Sequence, residues 1–156
     1  MNKSKGLARL ATAKGFTIIE LAIVIAIIAI LAAIVLINIP QYIAKGKNSA
    51  IQGDMIAIST NAATWNDRYS TYVGFAADTT YLTPKNQINS YLSSMSCSSS
   101  NTCVVENESD TAFCACTPLL DVNGAVGQTF CVDSVLNKKQ TGTPCATECL
   151  ASGACQ

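Results

Sequence analysis

The sequence predicts an α+β protein, a long N-terminal helix packed on a small antiparallel β-sheet head with a disulfide-rich C-terminal region. Three observations carry this. An apolar run near the N-terminus is long enough for a membrane-spanning helix, and it passes into an amphipathic stripe at helical spacing. The last sixty residues then hold short β-rich segments and all eight cysteines. The length of 156 residues suits one small domain with an appendage.

The apolar run comes first. From Ile18 to Ile39 twenty of twenty-two residues are apolar, the exceptions being Glu20 and Asn38, and Leu21 to Ile37 is unbroken. As a helix, such a stretch is roughly 33 Å long, enough to cross a hydrocarbon core of roughly 30 Å. Its many Ile and Val residues would favour strands in water, but in lipid the backbone must satisfy its own hydrogen bonds, which forces a helix. Lys3, Lys5, Arg9 and Lys14 precede it with no acid among them. That charge bias predicts a single pass with the N-terminus inside and the C-terminal body outside. An ordinary secretory signal peptide is the competing reading. It calls for an apolar core of about 7–15 residues; this run is too long, and Glu20 stands at its start. A carboxylate kept in such a place has a partner or a task.

Beyond Pro40 the pattern turns amphipathic. Ile51, Met55, Ile58, Ala62, Trp65 and Tyr69 recur at intervals of three and four, with polar residues between them. That stripe predicts one helix over 17–69 whose second half lies against a core, with Trp65 and Tyr69 as core residues. From Ser70 helical periodicity fades. Residues 71–92 read as a connection with a short helix near 85–93, and 93–102 as a serine-rich loop. Thr102–Glu106 and Thr111–Cys116 read as strands joined by a turn at 107–110, and Thr129–Val135 as a third strand. The last twenty residues read as an irregular tail.

Cysteines Cys97, Cys103, Cys114, Cys116, Cys131, Cys145, Cys149 and Cys155 all fall in the part predicted to lie outside the cytoplasm, where disulfides persist. The even count fits four bridges supporting a small core. Eight cysteines allow 105 pairings, so connectivity is not readable. Cys114 and Cys116 are two apart on a strand and share a face, so each is expected to bond elsewhere, with Cys145, Cys149 and Cys155 stapling the tail to the sheet. Zinc is not expected, because the spacings include no CxxC and the chain has no histidine.

Lys14-Gly15-Phe16-Thr17-Ile18-Ile19-Glu20-Leu21, followed by the apolar run, resembles the N-terminal signal of type IV pilins and pseudopilins. The resemblance covers about thirty residues, to Ile39-Pro40-Gln41-Tyr42. It implies a cut by prepilin peptidase between Gly15 and Phe16, N-methylation of Phe16, and Glu20 as fifth residue of the mature chain. It further implies membrane residence before assembly, handling by inner-membrane assembly machinery, and polymerisation of copies into an extracellular helical filament. There Glu20 would pair with the α-amino group of Phe16 on a neighbouring subunit. The implied organisation is a leader over 1–15, a transmembrane and assembly helix over 16–40, its amphipathic continuation over 41–69, and the head over 70–156. Two departures stand out. Many pilins have glycine where Ala29 stands, and their proline comes three residues before Pro40, so unwinding as far back as Ala29 is not implied, while Pro40, lacking an N–H, can still disturb the helix ladder. Four disulfides also exceed the single C-terminal bridge common in the family.

Function follows from what the chain lacks as well. Without histidine there is no Ser-His-Asp or Cys-His pair and no HExxH site, so no enzyme is expected. No cofactor is expected either. After residue 15 the chain carries six Lys and Arg against ten Asp and Glu, which disfavours nucleic acid as a partner. Leu120-Asp121-Val122-Asn123-Gly124 spells part of a calcium loop but lacks the further carboxylates, and reads as a turn. Asn107-Glu108-Ser109 reads as a turn rather than a glycosylation site, and Lys138-Lys139 as a solvated spot. The expected function is a structural subunit of a type IV pilus or pilus-like filament. The alternatives are a type II secretion pseudopilin and a competence-type DNA-uptake pilin.

Overall fold

The computed structural model describes residues 15–93, 103–121, 126–149 and 154–155. By compactness the chain falls into two units, Met1–Asn38 and Ile39–Gln156. The basic leader residues, most of the serine-rich loop, Cys97 and residues 122–125 lie outside the described residues.

Helix α1 spans Ile18–Tyr69, in agreement with the predicted 17–69, and is assigned as helix through both Ala29 and Pro40. It is the one helix among the described residues long and apolar enough to cross a membrane, over Ile18–Leu36. Farther along, its stripe is buried as the spacing predicts. Ile51, Met55, Ile58 and Ala62 are fully enclosed. Tyr69 departs from the prediction. It is 52 % exposed and leans on Trp65, which is itself half-buried against the core.

The short helix expected near 85–93 is longer and starts earlier: α2 spans Thr79–Tyr91. The signal for its start is Asp78, whose side chain accepts from the Thr80 N–H as an N-cap. Pro84 sits inside α2 rather than ahead of it and is buried. A single 3-10 turn, Phe75–Ala77, precedes α2. Gly74 opens that turn at φ 89°, a left-handed conformation suited to glycine. The Glu108 carboxylate accepts from the Gly74 and Ala76 N–H groups, both at 2.9 Å, and so ties the turn to the sheet.

The sheet is a four-stranded antiparallel meander in the order β1–β2–β3–β4. Strands β1 (Val105–Glu108) and β2 (Phe113–Leu120) lie a few residues later than the predicted pair, and β3 (Val126–Asp133) begins earlier than predicted. The first hairpin turns over Ser109–Ala112, where Ser109 N–H donates to the Ala112 carbonyl. Asn107 is therefore in a strand, not a turn. The tail is not irregular throughout. It supplies β4 (Lys138–Thr141) and the short helix α3 (Cys145–Glu148). β4 was invisible to patterning because it is an edge strand of polar residues, and Lys138 and Lys139 on it deter further strand addition.

Strand periodicity divides β2 and β3 between two layers. Phe113, Ala115, Leu119, Phe130 and Val132 join the stripe of α1 in the main core, together with Tyr72, Phe75, Tyr81 and Ile88. Cys114, Cys116 and Cys131 point the other way and form a second cluster with Cys145 and Cys149. One face of the sheet is thus covered by a helix and the other by a layer of sulfur. Asn48 adds a polar tie at the rim, its side chain exchanging two hydrogen bonds with the Leu120 backbone at 2.7 and 2.8 Å.

Candidate functional site

Two regions gather the residues that the sequence singles out. The first is the opening of α1. Glu20 accepts from Thr17 N–H at 2.9 Å and from Thr17 Oγ1 at 2.8 Å, both on Oε2, while Thr17 Oγ1 accepts from Glu20 N–H at 3.2 Å. This reciprocal arrangement is a capping box, which satisfies two N–H groups that a helix start leaves without partners. Leu21 N–H donating to the Thr17 carbonyl closes the first turn. Thr17 was missed as a functional residue, although T-x-x-E ahead of an apolar run spells the motif. Glu20 Oε1 takes no hydrogen bond among the described residues.

Around this cap the surface is apolar and open. Phe16 is 85 % exposed, and the large hydrophobic side chains from Ile18 through Leu36 are each about half exposed or more. Glu20 is the one ionisable side chain from Gly15 to Gln41. An apolar surface of this extent marks contact with lipid or with other protein. Gly15 is exposed, so the Gly15–Phe16 peptide bond is open to approach.

The second region is the sulfur layer. Cys114 is bonded to Cys149, Cys116 to Cys145 and Cys131 to Cys155. Cys114 and Cys116 thus each bond to the tail and not to one another, and all three tail cysteines are anchored on β2 or β3. Cys103 is also disulfide-bonded. The sulfurs of Cys114, Cys131 and Cys149 lie within 4.8 Å of one another, a spacing that could suit a metal. Metal binding requires thiolates, and each of these sulfurs is committed to a disulfide. Of the suggested calcium loop, Leu120 ends β2 and is buried; residues 122–125 lie outside the described residues.

Asp133 is a buried acid that the sequence reading overlooked. At the end of β3 it is fully enclosed. Its Oδ1 accepts from the N–H groups of Val135 and Asn137, and its Oδ2 accepts from Asn137 Nδ2 and Cys155 N–H. It fixes the β3–β4 turn and ties the C-terminal segment to it.

The match to a known family falls on the first region. The family model described as the prokaryotic N-terminal methylation motif matches residues 10–36. The type IV major alpha-pilin of Moraxella bovis is 53 % identical over 47 residues, 30 % of each chain. The type IV major pilin protein PilA of Myxococcus xanthus is 41 % identical over 71 residues, 42 % of this chain and 32 % of that one. Fimbrial protein Q of Moraxella bovis is 53 % identical over 47 residues, again 30 % of each chain. The chain therefore spans about a third of the length of these relatives. No solved structure matches. The chain is thus similar to type IV pilins over part of its length.

Proposed function

We infer that the protein is a structural subunit of a type IV pilus or pilus-like filament, made as a precursor, cut between Gly15 and Phe16 by prepilin peptidase, and polymerised through the first half of α1. The observation that carries this reading is the open apolar surface of Ile18–Leu36 with a single carboxylate at its start. Such a surface is stable in lipid before assembly and in a bundle of like helices afterwards, and in water alone it is not. The methylation motif lies over these residues, and the partial similarity to type IV pilins adds support. Assembly would proceed in three steps. The precursor sits in the inner membrane with the leader inside. Cleavage exposes the amino group of Phe16, and methylation of that group leaves it cationic. Glu20 of one subunit then meets that amino group on the next, with Oε1 available while Oε2 holds the helix cap.

The head fits this role as a stable outer module rather than as a catalyst. Its sulfur layer suits an oxidising setting outside the cytoplasm, which a surface filament and a periplasmic secretion pseudopilin share.

The test is intact mass and N-terminal sequencing of protein from sheared surface filaments. The expected species begins at Phe16 and is one methyl group heavier than the unmodified residue. Assembled protein that retains residues 1–15, or that begins after Ala33, would overturn the reading. Surface filaments that persist when the gene is deleted, with secretion lost instead, would favour the pseudopilin.

A further inference from the structure

A cavity of about 320 Å³ opens where the C-terminal end of α1 meets the start of α2, walled by Trp65, Tyr69, Arg68, Asp78, Asn61 and Thr80 among others. Neither the assembly helix nor the sulfur layer accounts for it. One wall is aromatic. The Trp65 and Tyr69 ring centroids are 4.2 Å apart with planes inclined at 42°, and Trp65 is braced behind by Phe75. Tyr69 is half exposed although it belongs to the core stripe by sequence. The other wall is polar. Asp78 accepts from the Thr80 N–H and hydroxyl on one oxygen, Oδ1. Asn61 donates through Nδ2 to the Thr80 carbonyl, which leaves its amide oxygen. The bonds from Thr80 and the nearby Arg68 charge hold the Asp78 carboxyl below its usual range, so it is ionised at neutral pH.

The combination selects a ligand class. The volume is at the lower end of small-molecule sites, which are about 300–1,000 Å³, and suits a ligand of one or two rings. A flat nucleobase is best held between two parallel faces, but these rings lean on each other and leave no slot. A nucleotide phosphate would also meet the Asp78 carboxylate, on a body whose residues after 15 carry an acidic excess. A purely apolar ligand would strand the Arg68 and Asp78 charges in a desolvated contact. A pyranose answers each demand. Its C–H face covers inclined aromatic rings, and its neighbouring hydroxyls both donate and accept, matching a carboxylate oxygen, an amide oxygen and a guanidinium at once. We propose that this cavity is a binding site for neutral saccharides, with Trp65 and Tyr69 as the stacking wall and Arg68 and Asp78 as the hydroxyl-reading pair.

The chain contains one tryptophan, so tryptophan emission, excited selectively over its five tyrosines, reports on this wall. The experiment titrates the full-length protein, in a detergent without a sugar headgroup, with methyl β-galactoside, methyl α-mannoside, N-acetylglucosamine and N-acetyllactosamine. Thymidine monophosphate serves as the nucleotide probe. A saturable emission change is expected with at least one saccharide, half-complete on the order of 1 mM, and none with the nucleotide. Tyr69→Ala and Asp78→Asn should each weaken it tenfold or more. Asparagine is a sound N-cap and Tyr69 is half exposed, so both variants should keep the wild-type melting temperature. No saturable change with any of the four saccharides would overturn the proposal. So would binding that survives both variants, or a response confined to the nucleotide. None of these outcomes bears on where the precursor is cut, so the filament reading stands or falls separately.

Discussion

The carboxylate of Asp133 accepts a hydrogen bond from the backbone N–H of Cys155 at 3.3 Å, and Cys155 is itself bonded to Cys131, two residues before Asp133 on β3. The C-terminal segment is therefore held at one residue by both a covalent bond and a buried charge. The same carboxylate organises the β3–β4 turn through Val135 and Asn137. A single acid links the strand end, the turn and the tail.

Asp133→Ala should destabilise the head by about 3 kcal/mol, because four partly buried donors, the N–H groups of Val135, Asn137 and Cys155 and Asn137 Nδ2, lose their acceptor together. Asp133→Asn keeps one acceptor oxygen and should lose roughly half as much. Chemical denaturation of the full-length protein in micelles measures both. An alanine variant within about 1 kcal/mol of wild type would mean that water replaces the carboxylate at little cost.

The disulfide layer makes a quantitative prediction of its own. The three bridges close separations of 35, 29 and 24 residues. Loop-closure entropy changes so slowly with length that the largest and smallest differ by only about 0.3 kcal/mol. Removing the Cys114–Cys149, Cys116–Cys145 or Cys131–Cys155 pair by double alanine substitution should thus cost about 2–4 kcal/mol each, nearly equally. An excess loss for Cys131–Cys155 would measure the Asp133–Cys155 contact, which that bridge keeps in place. Peptide mapping without reduction should recover these three pairings, and any other set would contradict the structure.

Asp54, on α1, tests the pH response. One of its oxygens, Oδ2, is out of reach of water and without a hydrogen-bond partner, and burial raises its pKa above the ordinary 3.8. A carboxyl with a raised folded-state pKa binds its proton more tightly in the folded than in the unfolded chain. Its charge therefore weakens the fold above the raised pKa, and the penalty fades as pH falls toward the unfolded value. Asp54→Asn should stabilise the head at pH 7 by about 0.5 kcal/mol, a figure kept small because the side chain is partly solvated. The advantage should disappear near pH 3.5. A gain that is independent of pH would point to hydrogen bonding by the amide instead.

How much of this was readable in advance depends on where each residue takes its constraint. The stripe Ile51–Met55–Ile58–Ala62 was legible because helix period and burial coincide. So was the shared face of Cys114 and Cys116, which follows from the two-residue period of a strand. Strand β4 was not legible, since Lys138-Lys139-Gln140-Thr141 is a polar edge with no apolar alternation to mark it. Tyr69 misled for the opposite reason. Its spacing is that of a core residue, but whether the sheet extends beneath it is a tertiary fact. Asp133 gave a faint sign in its Asp-Ser-Val-Leu-Asn context, which suits an Asx turn, yet nothing local says that Cys155 will return to it. At the start of α1, Glu20 was legible as an isolated charge, while its partner Thr17 was missed although the capping-box spelling offered it.

That capping box sharpens the test of Glu20. A capping box accepts glutamine as well as glutamate, so Glu20→Gln should keep the bond to Thr17 N–H and the helix start while removing the charge. Glu20→Ala removes both. If the residue serves only to begin the helix, the glutamine variant should assemble like wild type and the alanine variant should be impaired. If it pairs with the amino group of Phe16 on a neighbouring subunit, both variants leave that cation buried without a partner. Both should then be cleaved and stable in the membrane yet recovered in sheared filaments at a level lower on the order of tenfold or more. Raising the salt concentration should not restore them, because a pair enclosed among helices is screened far less than a surface pair. The measurement is filament yield in cells with no wild-type copy. Normal yield from Glu20→Gln, with loss from Glu20→Ala alone, would assign Glu20 to the cap and remove the intersubunit pair from the mechanism.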